Sequence, residues 1–298
     1  MKHVPVLLDT VLEIINPKPG MFCIDGTLDG GGHAEAIMER MFPSGIFLGV
    51  DLDGILLRET KERLEGLAVS YQKDFRAVWQ QGSYTELPKI LHKNNLSLAD
   101  ALLLDFGFSS EQMDMSGRGF SFQRDEVLDM RYDTHGNDLS AAFCINSYDE
   151  DTLEDIFRTY GEERFARKIA KHIIIARRKN PITTSGELAR VVEEVVWRRG
   201  KIHPATKVFQ ALRIFVNKEL ENISEILRLL DSIVKKGGVI VIISFHSLED
   251  RLVKHAFKQL VTEGKAIHIT KKAIQAGIIE RRGNPRSRSA KLRAIQIL

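Results

Sequence analysis

The chain has 298 residues, 43% of them apolar and 28% charged, with 43 Lys and Arg against 40 Asp and Glu for a net charge of +3. Such a chain buries a real core in one large domain or two smaller ones, and its composition excludes bulk disorder and a generally polycationic surface. Two cysteines without CxxC spacing, Cys23 and Cys144, exclude a disulfide framework and read as core residues of a reducing compartment. With no basic-then-apolar leader pattern and no apolar run of membrane-spanning length, a cytoplasmic location away from membranes is expected.

In chain order, His3-Val4-Pro5-Val6-Leu7-Leu8 and a short amphipathic helix near 10–15 precede an apolar run, Met21-Phe22-Cys23-Ile24. That run enters Asp25-Gly26-Thr27-Leu28-Asp29-Gly30-Gly31-Gly32-His33-Ala34, and a helical pattern leaves it. Strand, acid, glycine turn and helix is how an open α/β sheet builds a nucleotide pocket at its first crossover. A second run, Ile46-Phe47-Leu48-Gly49-Val50, ends in Asp51, nineteen positions past Gly32, the spacing of an acid that grips ribose hydroxyls.

A dinucleotide fingerprint fails because Gly30-x-Gly32-x-x lands on Glu35, and a P-loop fails because His33 follows Gly32 where Lys is needed. The turn carries no Lys or Arg, while Asp25, Asp29 and Asp51 surround it. That polarity suits S-adenosylmethionine, with a diol for Asp51 and an amine and a sulfonium for the carboxylates.

The pattern continues with a helix over 54–65, a strand over 75–84 and the run Asp100-Ala101-Leu102-Leu103-Leu104-Asp105. Continuous apolar runs alternating with helical patterns predict parallel strands covered on both faces. No strand is predicted from Ser109 to about Pro204. A Gly/Phe/Asp-rich segment over 117–125 is followed by helical stretches near 138–146, 149–160, 163–178 and 186–199. In the third, Phe165, Ile169, Ile173 and Ala176 share a face, and Thr184 with Glu187 makes a capping box for the fourth.

The α/β pattern then resumes. A long helix over 205–235 is expected to stop at Gly237-Gly238. A strand over 239–243 opens into Ser244-Phe245-His246-Ser247-Leu248-Glu249-Asp250-Arg251, and a helix over 250–262 and strands over 267–270 and 292–298 finish the chain. The expected fold class is α/β: a class I (Rossmann-like) S-adenosylmethionine-dependent methyltransferase core, with a seven-stranded, mostly parallel sheet and an inserted α-helical domain. The expected boundaries are 1–109 and 205–298 for the two parts of the core and 110–204 for the helical insertion, to which the family resemblance described below assigns substrate recognition.

Ligands of such sheets lie at the carboxyl ends of the strands. Asp25 with His33, Asp51, Asp105 with Ser109 and Ser110, and Ser244 with His246 and Ser247 would converge on one crevice, although singly Asp105 reads as a helix cap and His246 as a core imidazole. His33, His203 and His246 are isolated in sequence, so no metal is expected. Seven Lys and Arg and no acid lie over 164–179, and eight against the single acid Glu280 over 271–293. These blocks suggest a polyanionic partner, or else solvated faces.

Several further motifs span the chain in order. They are Leu104-Asp105-x-Gly107-x-Ser109-Ser110, Arg118-Gly119-Phe120-Ser121-Phe122, Leu128-Asp129-Met130-Arg131, Tyr160-Gly161-Glu162-Glu163, Pro204-Ala205-Thr206, Phe209-Gln210-Ala211-Leu212-Arg213-Ile214 and Val216-Asn217-x-Glu219-Leu220. With His3-x-Pro5-Val6-Leu7-Leu8, the Gly31-Gly32-His33 turn, SFHSLEDR at 244–251 and NPRSRSAKLR at 284–293, the chain resembles the bacterial 16S rRNA cytosine-N4 methyltransferases, the MraW or RsmH family. The resemblance implies S-adenosylmethionine as donor and a decoding-centre (P-site) cytidine of the small ribosomal subunit as acceptor. It implies donor contacts from Gly31, Gly32, His33, Asp51, Tyr84, Asp105 and Gln112. Asp29 and Ala34 stand where the family has a glycine and a small hydroxyl residue.

Cytosine N4 is a poor nucleophile, so it must be held in line with the methyl group and its developing charge stabilised. Asp105 is the expected catalytic acceptor, with Ser109 or His246 as helpers, and Phe106, Phe108 or Phe245 would cover the flipped base. The basic blocks would grip rRNA phosphates. The alternatives are a methyltransferase acting on another RNA or on DNA amines, and a non-catalytic ribosome-assembly protein. A monomer or a homodimer is expected.

Overall fold

The computed structural model describes residues 4–68, 74–107, 117–134, 136–196 and 203–298. They form two compact units, one of Met1–Gly107 with Leu220–Leu298 and one of Phe108–Glu219.

The first unit is built on a seven-stranded sheet of β1 (Phe22–Asp25), β2 (Ser44–Asp51), β3 (Asp74–Gln81), β4 (Ala99–Asp105), β5 (Val234–Ser244), β6 (Ala266–His268) and β7 (Lys291–Ile297). Its order is β3-β2-β1-β4-β5-β7-β6. The first five strands run parallel, and β7 pairs antiparallel with both β5 and β6. Period-2 alternation divides the apolar runs between two cores. Ile24, Leu48, Leu102, Leu104, Ile240 and Ile242 point to one, and Cys23, Phe47, Ala101, Leu103, Val241 and Ile243 to the other. Helices cover both faces, as uninterrupted apolar strands require. They include α1 (Leu8–Ile15), α2 (Gly32–Met41), α3 (Gly54–Ala68) and α4 (Leu87–Lys93).

Two expectations are corrected here. The third strand ends at Gln81, and Tyr84 begins a 3-10 turn that Ser83 and Glu86 cap reciprocally. The stretch expected as one helix over 205–235 is two, α9 (Thr206–Val216) and α10 (Glu219–Leu229), and Gly237-Gly238 lie inside β5. Those glycines serve an irregularity in the β4–β5 ladder: Gly237 has φ +79°, and a Cβ on Gly238 would lie 2.9 Å from the Asp100 carbonyl.

The second unit holds α5 (Ala141–Ser147), α6 (Glu150–Gly161), α7 (Ala166–Arg177), α8 (Ser185–Glu193) and α9. The only strand-like pairing among its described residues is a single bridge between Val127 and Thr184. Leu153, Phe157, Ile169, Ile173, Leu188, Val208 and Leu212 share its core. Phe165, expected on the apolar face of α7, is 42% exposed and precedes the helix as its cap. The unit continues to Glu219 because α9 packs against α6, so it includes residues that the sequence pattern assigns to the returning core.

Asn217 explains the break between α9 and α10. Its Oδ1 accepts the Tyr132 amide at 2.8 Å, and its Nδ2 donates to the carbonyls of Met130 at 2.7 Å and Arg213 at 2.9 Å. The chain turns there through Lys218 at φ +50°. Asn217→Ala leaves the Tyr132 amide and the Met130 carbonyl without these partners, at about 1–3 kcal/mol for each buried group. The expected result is a loss of about 2–4 kcal/mol of stability, measured by denaturant unfolding.

Candidate active site

The glycine turn after β1 is held by the helix after the next strand. Asp29 sits in the left-handed region at φ +46° and Gly31 at φ +68°. The Asp29 carbonyl accepts from Thr60 Oγ1 at 2.9 Å, the Gly30 carbonyl accepts from Arg63 Nη2 at 2.7 Å, and Arg63 also pairs with Glu35. A Cβ at Gly31 would lie 2.5 Å from Thr60 Cγ2, so glycine is required there on both grounds. Asp29 tolerates a left-handed backbone better than most residues do, which explains how a carboxylate is accommodated in this turn. The pinning residues Thr60 and Arg63 escaped the sequence reading because nothing in a helix pattern marks a side chain that bonds a distant carbonyl.

Asp51 closes the other side of the turn. Its Oδ2 accepts the Asp29 amide at 2.8 Å and its Oδ1 accepts the Asp53 amide at 2.8 Å. The N-terminal segment Val4–Leu7 lies against the turn, with Pro5 packed over Gly32. His33 Nε2 donates to the Val6 carbonyl at 2.9 Å, Glu280 accepts the Leu7 amide at 2.7 Å, and Asn284 Nδ2 donates to the Val4 carbonyl at 3.0 Å. The lone acid of the second basic block is thus an anchor for this strap, a role its position in a cationic run hints at.

Asp105 ends β4 and is 6% exposed. Its amide donates to Thr27 Oγ1 at 2.7 Å, and its Oδ2 lies 3.7 Å from His33 Nδ1. Its Oδ1 is buried and has no hydrogen-bond partner among the described residues. Burial, reinforced by mutual repulsion, raises the pKa of all four nearby carboxylates: Asp25 to about 7, Asp51 to about 6, and Asp29 and Asp105 well above the usual range. For Asp51 the amide hydrogen bonds from Asp53 and Asp29 oppose the burial effect. Arg286 is the cation that partly offsets the charge at Asp29 and Asp105.

Tyr84 is half-buried, its ring 5.6 Å from that of Phe106. Phe106 is 2% exposed inside a core cluster, so it is not available to cover a base. Phe245 is partly exposed and packs on Gly107. His246 caps α11 (Ser247–Thr262): the Glu249 amide donates to its Nδ1 at 3.4 Å, Glu249 returns bonds to the amides of Phe245 and His246, and His246 Nε2 lies 3.2 Å from Glu249 Oε1. With Nδ1 engaged as an acceptor, this imidazole orients the loop that leads into α11. Phe108, Ser109, Ser110 and Gln112 lie outside the described residues.

The two basic blocks divide by partner. Arg164, Arg167, Lys168, Lys171, Arg178 and Lys179 are exposed, while Arg177 donates to the Ile145 carbonyl at 2.7 Å. In the second block Lys271, Lys272, Arg282 and Arg288 are exposed. Arg293 and Lys291 are committed to Asp250, at 2.7 and 3.1 Å, and those pairs hold the Asp250 carboxyl below its ordinary value despite its burial. The expectation that Arg293 grips phosphate is therefore replaced by an internal ion pair between β7 and Asp250.

Four carboxylates around a glycine turn, with one buried oxygen that has no partner among the described residues, fit a ligand that carries positive charge and donor groups. Together with five parallel strands and an antiparallel β7 in the observed order, the arrangement defines a class I methyltransferase. A sequence profile of the MraW methylase family matches residues 1–298, and the chain belongs to that family. It is 42% identical over 314 residues to the ribosomal RNA small subunit methyltransferase H of Trichlorobacter lovleyi, covering 99% of this chain and 98% of that one. It is 43% identical over 297 residues to the protein of the same name from Desulfotalea psychrophila, covering 99% and 97%. The counterpart in Dictyoglomus thermophilum is 42% identical over 292 residues, covering 98% and 95%.

Proposed function

We propose that the protein transfers a methyl group from S-adenosylmethionine to the exocyclic N4 of a P-site cytidine in 16S rRNA, acting on the small ribosomal subunit. The observation that carries this reading is the buried Oδ1 of Asp105 at the end of β4, which has no partner among the described residues and is an acceptor suited to an amine that gains positive charge as it is methylated. The relatives named for small-subunit rRNA methylation support the class of acceptor. The donor supplies an electrophilic methyl group on a sulfonium.

Within this reading Gly31 and Gly32 let the backbone approach the donor. Asp51 takes the ribose diol with the lone pairs left by its two amide bonds, Tyr84 lies beside the adenine, and His33 and Gln112 complete the pocket. Asp105 accepts from N4, and Ser109 and His246 orient the base. Phe245, partly exposed beside Gly107, covers its face. The helical unit recognises the rRNA, and the protein works in the cytoplasm.

The test is labelled methyl transfer to small subunits lacking this modification, with free rRNA and DNA alongside, followed by identification of the product nucleoside. N4-methylated cytidine from subunits alone is expected; label in DNA, or in another atom of the base, overturns the reading. Charge reversal of Lys271, Lys272 and Arg282 together is expected to weaken subunit binding and to lower its salt dependence by about 2–3 in log-log slope. Reversal of Arg293 instead is expected to lower thermal stability through Asp250.

A further inference from the structure

The two most exposed large apolar side chains among the described residues stand side by side in the second basic block. Ile278 is 71% and Ile279 89% exposed, and they open α12 (Ile278–Gly283). Glu280 and Arg281 are half-buried and Asn284 is buried, while Ile278, Ile279 and Arg282 face solvent. Ile278 and Arg282 lie one turn apart on the same side. The helix is held from beneath. Glu280 accepts the Leu7 amide at 2.7 Å, and Arg281 Nη2 donates to Gln275 Oε1 at 2.9 Å. The Arg281 carbonyl accepts from Arg288 Nε at 3.2 Å, and Asn284 Nδ2 donates to the Val4 carbonyl at 3.0 Å. A fixed platform thus presents two stiff, β-branched side chains to water, and a partner that buries them has little ordering left to impose.

Charge and position identify the partner. Lys271, Lys272, Arg282 and Arg288 in the same segment are exposed, and its one acid, Glu280, is engaged with the strap. A cationic surface with an apolar tip suits a polyanion that also offers apolar faces, which is nucleic acid with unstacked bases. The segment is continuous with the candidate active site. Two residues beyond Asn284, Arg286 is close enough to Asp29 and Asp105 to offset their charge. The strap held by Glu280 and Asn284 packs Pro5 over Gly32 of the donor turn. A cytidine whose N4 reaches the buried Asp105 has left its stack, and its departure bares base faces on either side of the gap.

We propose that Ile278 and Ile279 form an apolar wedge that packs against the bared bases flanking the target cytidine and holds the rRNA open during methylation. The inference deepens the reading under Proposed function and rests on it. The neighbouring cations hold phosphates and bring salt dependence. The isoleucines add a salt-independent contribution, because they bury apolar surface that only the opened RNA offers. A group that binds the open form alone shifts the RNA toward the form that reacts.

The experiment compares the full-length parent with Ile278→Ser/Ile279→Ser and with the conservative Ile278→Leu/Ile279→Leu. On small subunits lacking the modification, kcat/KM of the serine variant is expected to fall about 10- to 100-fold. The salt slope of subunit binding, the donor affinity and the thermal midpoint are expected to stay at parent values, and the leucine variant is expected to keep most of the activity. A parent-like kcat/KM for the serine variant overturns the wedge, and a lowered midpoint overturns it by making the pair structural. As a second readout, Ile279→p-benzoylphenylalanine is irradiated on small subunits and the cross-links are mapped by reverse transcription. Cross-links at nucleotides flanking the target cytidine are expected; cross-links confined to ribosomal protein overturn the inference. Isoleucine-dependent sedimentation with phosphatidylglycerol vesicles, or isoleucine-dependent self-association, with unchanged subunit kinetics also overturns it. The parent assay separates the two failures. If the parent forms N4-methylcytidine on subunits and the serine variant matches it, the wedge alone falls; if the parent forms none, the reading under Proposed function falls as well.

Discussion

Asp105→Asn is expected to lower turnover on small ribosomal subunits by about 100- to 10,000-fold, the range typical for loss of a positioned acid–base group. The substitution keeps the shape of the side chain and leaves the 2.7 Å bond from its amide to Thr27 intact. What it removes is the negative charge that, in the proposed reaction, would stabilise and then deprotonate the methylated amine. Because Asp105 is crowded by Asp25 and Glu249, the neutral side chain is also expected to raise the thermal midpoint of the ligand-free protein near pH 8. Activity lost together with stability gained would mark a site held under electrostatic strain for function. Near-normal turnover on the proper substrate would refute the role assigned to this carboxylate, and a lowered midpoint would refute the strain.

The second large effect is a pair of opposite pH dependences. Asp25 and Asp51 have native pKa values raised to about 7 and about 6 from an ordinary value of 3.8. Between the ordinary and the raised values the folded protein holds protons that the unfolded chain has released. Stability contributed by these groups is therefore highest below about pH 4, falls as pH rises through that window, and levels off above about pH 7. Within the window each such group costs the folded state about 1.4 kcal/mol for every pH unit climbed. A cationic donor has the reverse preference, because it binds the ionised carboxylates. Its affinity is expected to fall about tenfold per pH unit for each proton displaced as pH drops from 7 to 5.5. Isothermal titration in buffers of different ionisation enthalpy would show proton release on binding near pH 6.5. Donor affinity independent of pH over this range would mean that the carboxylates are ionised before the donor arrives, against the raised values. Asp250, held low by Arg293 and Lys291, contributes in the opposite sense and only as pH falls below the ordinary carboxylate range.

The expectations that survived and those that did not differ in the kind of information they needed. Strands such as Leu102-Leu103-Leu104 and Ile240-Val241-Ile242-Ile243 were readable because a sheet covered on both faces needs unbroken apolar runs, and these residues are indeed buried on alternating sides. The glycine turn and the acid ending the second strand were readable because backbone conformation and charge are local properties of a few residues. Gly237-Gly238 misled for the complementary reason. Glycines end helices and also relieve ladder irregularities, and the choice is made by a neighbouring strand that a one-dimensional pattern does not show.

The sequence by itself thus determined the alternation of elements, the apolar character of the strands and the acidic surround of the turn, since each follows from local periodicity and residue chemistry. Only the tertiary structure decided which charges are free. It commits Arg293 and Lys291 to Asp250, sets Arg286 toward the carboxylates, spends Glu280 on the N-terminal strap and makes His246 a helix cap. It also brings His33 within 3.7 Å of Asp105, a pair separated by 72 positions in the chain. Buried charge is costly unless it is matched, so the fate of each ionisable group is settled by partners that only the folded chain brings near.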